Sequence, residues 1–301
     1  MDASAELVKR LLPSVVNIHT EVPAEHPSAS ILGTERMGSG TIIDSSGLIL
    51  TVNYVVMGAK KIQVSPDQGR RLKAELLAQD FDVGLAVLRV KRQGLAPAEL
   101  GPSLPTTCGT PVFIIASTGP RERRVAGGVV SYLGEFEAYW EYLLDRGIVS
   151  TAVNPGFGGG PLFTLRGQMI GVVYLNLNEI IRNSLAISIE SFRESEAELL
   201  RYGRVVSRPR RAWLGVFAHP LEEGVVVAGL VPHGPGERSG LREGDVIVSL
   251  NSEGIPTRKQ LYLSLWRYGP GDRITLEVMR DNVLKRVEVT SGDRADFYKH
   301  R

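Results

Sequence analysis

A chain of 301 residues, 43% hydrophobic and 23% charged, has the make-up of an ordinary globular protein, long enough for a large core or for more than one domain. A formal net charge of +2 makes no case for nucleic acid or an anionic membrane surface, and the single cysteine, Cys108, excludes an intrachain disulfide and a cysteine-rich metal site. No apolar run reaches the length of a membrane span and no signal-peptide core stands at the N-terminus, although a trimmed, mature form of a longer chain would read the same way.

Residues 5–12 read as a short helix with Leu7, Leu11 and Leu12 on one side, stopped by Pro13. Residues 14–20 read as the first strand, and 21–37, with little periodicity, as a mobile loop. The chain then breaks into short strand-like pieces at 38–43, 48–52, 61–64, 74–77, 85–90, 112–117, 126–133, 147–153, 168–175 and 184–189. Gly- and Pro-rich turns separate them, the pattern of an all-β barrel or sandwich. Cys108, just ahead of the apolar run 111–115, is expected at a buried strand entry. Residues 191–202 have helix-forming composition with Gly203 at the C-cap position, and the arginine-rich stretch 204–211 reads as a solvated connector. A second module begins at Ala212, with strands at 225–231, 246–250, 273–279 and 284–290. Its helix, 257–267, has Thr257 as N-cap, Gln260 completing a capping box, and Leu261 and Leu265 on one face. The domain scheme is therefore 1–203, a linker 204–211, a module 212–290 and a frayed polar tail 291–301.

The densest motif is Asn154-Pro155-Gly156-Phe157-Gly158-Gly159-Gly160-Pro161-Leu162, a run that holds backbone in a shape side chains would obstruct. Around it stand Gly38-Ser39-Gly40, Gly47-Leu48-Ile49-Leu50-Thr51, Gly127-Gly128-Val129-Val130-Ser131 and Gly167-Gln168-Met169-Ile170-Gly171-Val172. The second module carries Trp213-Leu214-Gly215-Val216, Ser239-Gly240-Leu241 and Gly244-Asp245-Val246-Ile247. In order and spacing, from about residue 14 to 290, these segments resemble the HtrA (Deg) family of trypsin-like serine proteases. The resemblance implies a mostly β protein: two packed trypsin-like barrels with an active site in their cleft, followed by an α+β PDZ domain.

It also implies peptide hydrolysis by a serine with a histidine base and an orienting aspartate. Carried over residue by residue, the histidine position in Leu50-Thr51-Val52-Asn53-Tyr54-Val55-Val56 holds Tyr54. The aspartate position in Asp80-Phe81-Asp82-Val83-Gly84-Leu85-Ala86-Val87-Leu88 holds Gly84, and the serine position holds Gly158. Glycine offers no nucleophile, and a phenol with an ordinary pKa near ~10 is a poor base at neutral pH. The chain is thus read as a pseudoprotease. The amides of Gly156 and Gly158 are an expected remnant of the oxyanion hole, and Phe157 is expected to bury its ring against the emptied site.

Two other readings stay open. One is an active endopeptidase with relocated groups: Asp82 as a shifted acid, Ser39, Ser117, Ser150 or Thr151 as the hydroxyl and His19 as the base, His26 falling in the loop. The other is a structural subunit of a hetero-oligomer with active paralogues. His219, His233 and His300 fall in the second module and tail, and the scatter gives no metal-ligand spacing; no metal or cofactor is expected. The resemblance implies that Trp213, Leu214, Gly215, Val216, Leu261 and Leu265 bind peptide, the amides of Leu214 and Gly215 meeting a C-terminal carboxylate. Expected partners are therefore protein C-termini or unfolded segments, in a homotrimer or a hetero-oligomer. The expected compartment is the periplasm or cell envelope if a leader was removed, the cytoplasm if the chain is full length.

Overall fold

Runs of valine, isoleucine and leucine, cut by glycines and Asx turns, build the first of two structural units. The computed structural model describes residues 3–66, 70–177, 182–222 and 224–299, so His300 lies outside the described residues. The first unit comprises Met1–Glu135 and Leu144–Val206, the second Phe136–Leu143 and Ser207–Arg301.

In the first unit α1 (Ala3–Leu11) is followed by β1 (Val15–Glu21), α2 (Ala29–Leu32), β2 (Glu35–Ile42), β3 (Leu48–Val52), α3 (Asn53–Val56), β4 (Lys61–Ser65), β5 (Leu72–Asp80) and β6 (Leu85–Val90). These strands close a barrel in the order β1-β2-β3-β6-β5-β4. Gly40 permits the closure: a Cβ there would stand 2.8 Å from both Ile18 Cδ1 and Ile49 Cγ2, inside the barrel. The β2–β3 turn is tied by Asp44, whose Oδ1 accepts from the amides of Ser46, Gly47 and Leu48.

A second sheet takes β7 (Glu99–Leu100), β8 (Pro111–Ser117), β9 (Arg123–Ala138), β10 (Tyr142–Ser150), β11 (Pro161–Thr164), β12 (Gln168–Asn176) and β13 (Ser184–Ser188). Their order is β11-β8-β9-β10-β13-β12-β7, and the further pairing of β11 with β12 closes the ring. The expected mostly β, two-barrel architecture is the one adopted.

Several local expectations fail for reasons of long-range packing. The stretch 21–37 is anchored, because Arg36 is buried and donates to the carbonyls of Tyr54 and Met57, both at 2.8 Å, and to Ser28 Oγ at 2.6 Å. Cys108 is exposed: it precedes β8, with its thiol 3.6 Å from the Ser131 carbonyl. The expected helix at 191–202 is two, α4 (Ile189–Arg193), capped by Ser188, and α5 (Glu196–Tyr202). Ser195 breaks them by bonding back to the carbonyl of Ser191, while Gly203 ends α5 in the left-handed region at φ 73°.

The second unit holds β14 (Val216–Pro220), β15 (Val225–Leu230), α6 (Pro235–Arg238), β16 (Val246–Leu250), β17 (Glu253–Gly254), α7 (Arg258–Leu265), β18 (Arg273–Arg280), β19 (Val283–Thr290) and α8 (Arg294–Phe297). The sheet runs β14-β15-β16-β18-β19, with β17 on β16. Leu214, Val216, Ile247, Leu261, Leu265, Leu276 and Val278 form its core. Thr257 caps α7 by accepting from the Gln260 amide, but the Gln260 side chain turns to Glu253 and Ser264, so only half of the expected capping box forms. The stretch expected to be a frayed tail packs onto the unit. Trp213 bridges to Gly292, its ring lies 4.8 Å from that of Phe297, and Arg210 pairs with Asp293 at 2.6 Å.

A charged pair is anchored on an enclosed carboxylate in this unit. Asp245 has a 0% exposed side chain and a two-pronged pair with Arg280, both contacts at 2.6 Å. Burial pushes its carboxyl up, but the bonds from Arg280 and from the Arg242 amide outweigh this and hold it below the ordinary carboxylate value. A depressed folded-state value means the pair stabilises fully above the unfolded value near ~3.9 and loses that contribution as pH falls through the folded one. Asp245→Asn should therefore cost about 3 kcal/mol at neutral pH. Urea denaturation from pH 7 to 2 should show the gap between wild type and variant narrowing only in the acid range.

Candidate functional site

Strand β3 delivers the chain into α3, whose second residue is Tyr54. Its hydroxyl donates to the Tyr174 carbonyl at 3.0 Å, and the two rings lie 5.6 Å apart at 58°. Burial raises the phenol well above its ordinary value and Tyr174 adds to the effect, so Tyr54 stays protonated and is no base.

Gly158 lies directly against that hydroxyl. A Cβ at 158 would overlap Tyr54 Oη, while its next neighbours, the Tyr174 carbonyl oxygen and Tyr54 Cζ, stand at 3.3 and 3.4 Å. Gly84 ends the β5–β6 turn at φ 92°, where a Cβ would stand 2.9 Å from Tyr174 Cε2. Its carbonyl accepts from the Asn53 amide at 2.8 Å, which ties the turn to the start of α3. Tyr54, Gly84 and Gly158 thus meet around one further residue, Tyr174, which sequence reading did not single out.

Phe157, expected to fill the emptied site, is only half-buried, and Tyr54 with Tyr174 occupies that space. The loop is held through its backbone. Ser39 donates from N to the Gly158 carbonyl and from Oγ to the Phe157 carbonyl, both at 2.7 Å, and the Gly159 amide donates to Val173. Of the expected oxyanion pair, the Gly156 amide points back to Asn154 Oδ1 at 3.4 Å.

The hydroxyls considered for relocated chemistry serve the backbone. Ser39 Oγ also accepts from the Ser117 amide, Ser117 donates to Gly119, Ser150 to Ala152, and Thr151 accepts from the Val129 amide. His19 pairs with Glu35 at 2.7 Å and His26 with Ser28 at 2.8 Å. Asp82 sits in the β5–β6 turn and not along a strand face, its amide donating to Asp80 Oδ1. Among the described residues no group of three or more His, Cys, Asp or Glu could hold a metal ion.

The second unit contains a better-formed anion site. The amides of Leu214, Gly215 and Val216 converge, and all three donate to the carboxylate of Glu141: Gly215 and Val216 to Oε1 at 2.7 and 2.9 Å, Leu214 to Oε2 at 3.1 Å. Glu141 belongs to the same unit, in the segment Phe136–Leu143. Burial pushes its carboxyl up, against the opposing pull of Arg294 and the three amides. Leu214, Val216, Leu261 and Leu265 are core side chains, none more than 1% exposed. Trp213, expected beside them at the groove, instead packs on Phe297 and Tyr298.

Comparison with known proteins agrees with this fold. Residues 38–172 match the trypsin-like peptidase domain family and residues 212–290 the PDZ domain family. A probable periplasmic serine endoprotease DegP-like of Halomonas elongata is 32% identical over 293 residues, 91% of this chain and 60% of the relative. Its counterpart in Ectopseudomonas mendocina is 31% identical over 276 residues, 86% and 56%. The chain therefore spans 60% and 56% of the length of these relatives. Among solved structures, the HtrA-type protease AlgW with decapeptide matches 97% of this chain and 98% of its own at TM-score 0.58 and 26% identity.

The overlap at Gly158 yields a stability test. Gly158→Ala should cost roughly 1–3 kcal/mol in wild type by overpacking. In Tyr54→Phe, which lacks the obstructing oxygen, it should cost clearly less, with a coupling of about 1 kcal/mol in a double-mutant cycle read by denaturant melts. Additive costs would show that the two positions do not compete for space.

Proposed function

The chain belongs to the HtrA/Deg family, with a trypsin-like domain followed by a PDZ domain, and we propose that this member is a catalytically inactive scaffold for polypeptide C-termini or unfolded segments. The observation that carries the first half of this reading is Tyr54 Oη standing where a side chain at 158 would have to be. An acyl-enzyme needs a nucleophile there and a base at hydrogen-bond distance from it. Here the nucleophile position is glycine, the base position is a protonated phenol bonded to a carbonyl, and the orienting position is a glycine at φ 92°.

The second half rests on the three convergent amides at 214–216, which already hold a carboxylate, and on an HtrA-type relative solved with a decapeptide. An extended peptide would add a strand beside β14 and present its terminal carboxylate to those amides. The periplasm is the proposed compartment, by analogy with relatives named as periplasmic. Assembly into a homotrimer, or with active paralogues, is proposed from the family resemblance.

Purified protein should hydrolyse neither casein nor fluorogenic peptides above buffer, and Gly158→Ser should remain inactive because base and orienter are still missing. Turnover by wild type that one change such as Ser39→Ala or Ser150→Ala abolishes would overturn the inactive reading. For binding, a peptide library with free C-termini should yield sequences that the full chain retains and whose amidated versions it does not.

A further inference from the structure

The carboxylate at the 214–216 amides comes with a backbone contact from the same turn. Two residues before Glu141, the Tyr139 carbonyl accepts from the Ala218 amide of β14 at 2.6 Å. Residues 139 to 141, the turn between β9 and β10, therefore lie along β14, with the residue 139 carbonyl at 218 and the residue 141 side chain at 214–216. An added peptide strand ending at the amide cluster would place its last and third-last residues in the same way, its terminal carboxylate standing where the Glu141 side chain stands.

Other contacts within the unit fix this segment. Tyr262 of α7 accepts from the Glu141 amide at 3.1 Å and donates to the Ala138 carbonyl at 2.7 Å. Arg294 of α8 donates to the carbonyls of Trp140 and Glu141, and Arg258 pairs with Glu137 at 3.1 Å. The Tyr139 ring stacks on His219 of β14 at 5.3 Å. Glu141 itself sits at φ 54°, a left-handed conformation unfavourable for a side chain of this size. That turn lets the chain continue into β10 while the side chain, and not a chain end, reaches the amides.

We propose that Tyr139-Trp140-Glu141 is an internal ligand of the second unit's groove, which an external peptide with a free C-terminal carboxylate must displace in order to bind. The proposal deepens the peptide-binding reading above and rests on it. Both carboxylates need the same three amides, so binding is mutually exclusive, and external affinity is lowered by the fraction of molecules with the groove vacated. The left-handed residue and the buried carboxylate make the inserted state conditional, relieved when the tip leaves.

The test uses the full chain and a fluorescein-labelled peptide that copies residues 135–140 and ends in valine with a free carboxylate. Fluorescence anisotropy should show at least about tenfold tighter binding to Glu141→Ala than to wild type, with Glu141→Gln in the same direction. The C-terminally amidated peptide should bind none of them. Equal affinities for wild type and both variants would overturn the proposal.

Hydrogen exchange separates this failure from failure of the peptide-binding reading. If Glu141→Ala speeds exchange at the amides of residues 214–218 yet no peptide binds, the tip is a structural closure of the groove, and the competition proposed here fails together with the reading it rests on. If exchange there is unchanged in Glu141→Ala, Glu141 does not hold the tip and the internal-ligand proposal fails alone. Near-wild-type melting of Glu141→Gln keeps either outcome from being a folding defect.

Discussion

The first unit's chemistry turns on the Tyr54 hydroxyl and the Tyr174 carbonyl it bonds at 3.0 Å. That bond fixes a partly buried ring with its oxygen in the volume a side chain at 158 would need. A neutral hydrogen bond of this kind contributes on the order of 1 kcal/mol, and an ordered aromatic pair adds a comparable amount. Tyr174 carries the constraint further, because its ring lies over Gly84. The residues at the family's histidine, aspartate and serine positions are consequently parts of one packed arrangement. Restoring one of them meets the others: a side chain at 158 meets Tyr54, and one at 84 meets Tyr174 and a left-handed backbone.

The second unit's proposed binding position is filled too, by a different kind of group. Tyr54 stands on α3 and is bonded within the barrel scaffold, so its occupancy is part of the fold. Glu141 stands in a turn at φ 54° and reaches its amides only by adopting that conformation. One plug is built into regular structure and the other is held against local backbone preference. On the readings proposed above, this difference separates a lost chemistry from a site with an exchangeable occupant.

Much of the architecture was legible because it is local. The short apolar runs cut by turns, the Gly203 C-cap and the Thr257 N-cap depend on residues a few positions apart. Tyr54, Gly84 and Gly158, which meet around Tyr174, were singled out only through the family resemblance. What could not be read depends on distant partners. Nothing near Tyr174 in sequence marks it as the neighbour of both Tyr54 and Gly84, and nothing near Glu141 marks it as a ligand for amides 73 to 75 residues later. Arg36 likewise orders residues 21–37 through carbonyls on α3 and beyond, which no local pattern announces. Trp213 was misplaced because its partners, Gly292 and Phe297, lie in a stretch that reads as tail.

The glycine-rich loop can now be divided by what each glycine avoids. At 156, 159 and 160 a Cβ would run into backbone oxygens of Ser117, Ser39 and Ile115 respectively, which cannot move without breaking strands β8 and β2. Those three glycines are demanded by the barrel packing whether or not the protein is an enzyme. At 158 the first obstruction is the end of one side chain, Tyr54, and the backbone beyond it stands at 3.3 Å. The loop therefore keeps its shape for structural reasons, and its resemblance to an active-site loop is no evidence of activity. Position 158 differs from the other three in that its first obstruction is a replaceable side chain, so barrel packing alone does not demand its glycine.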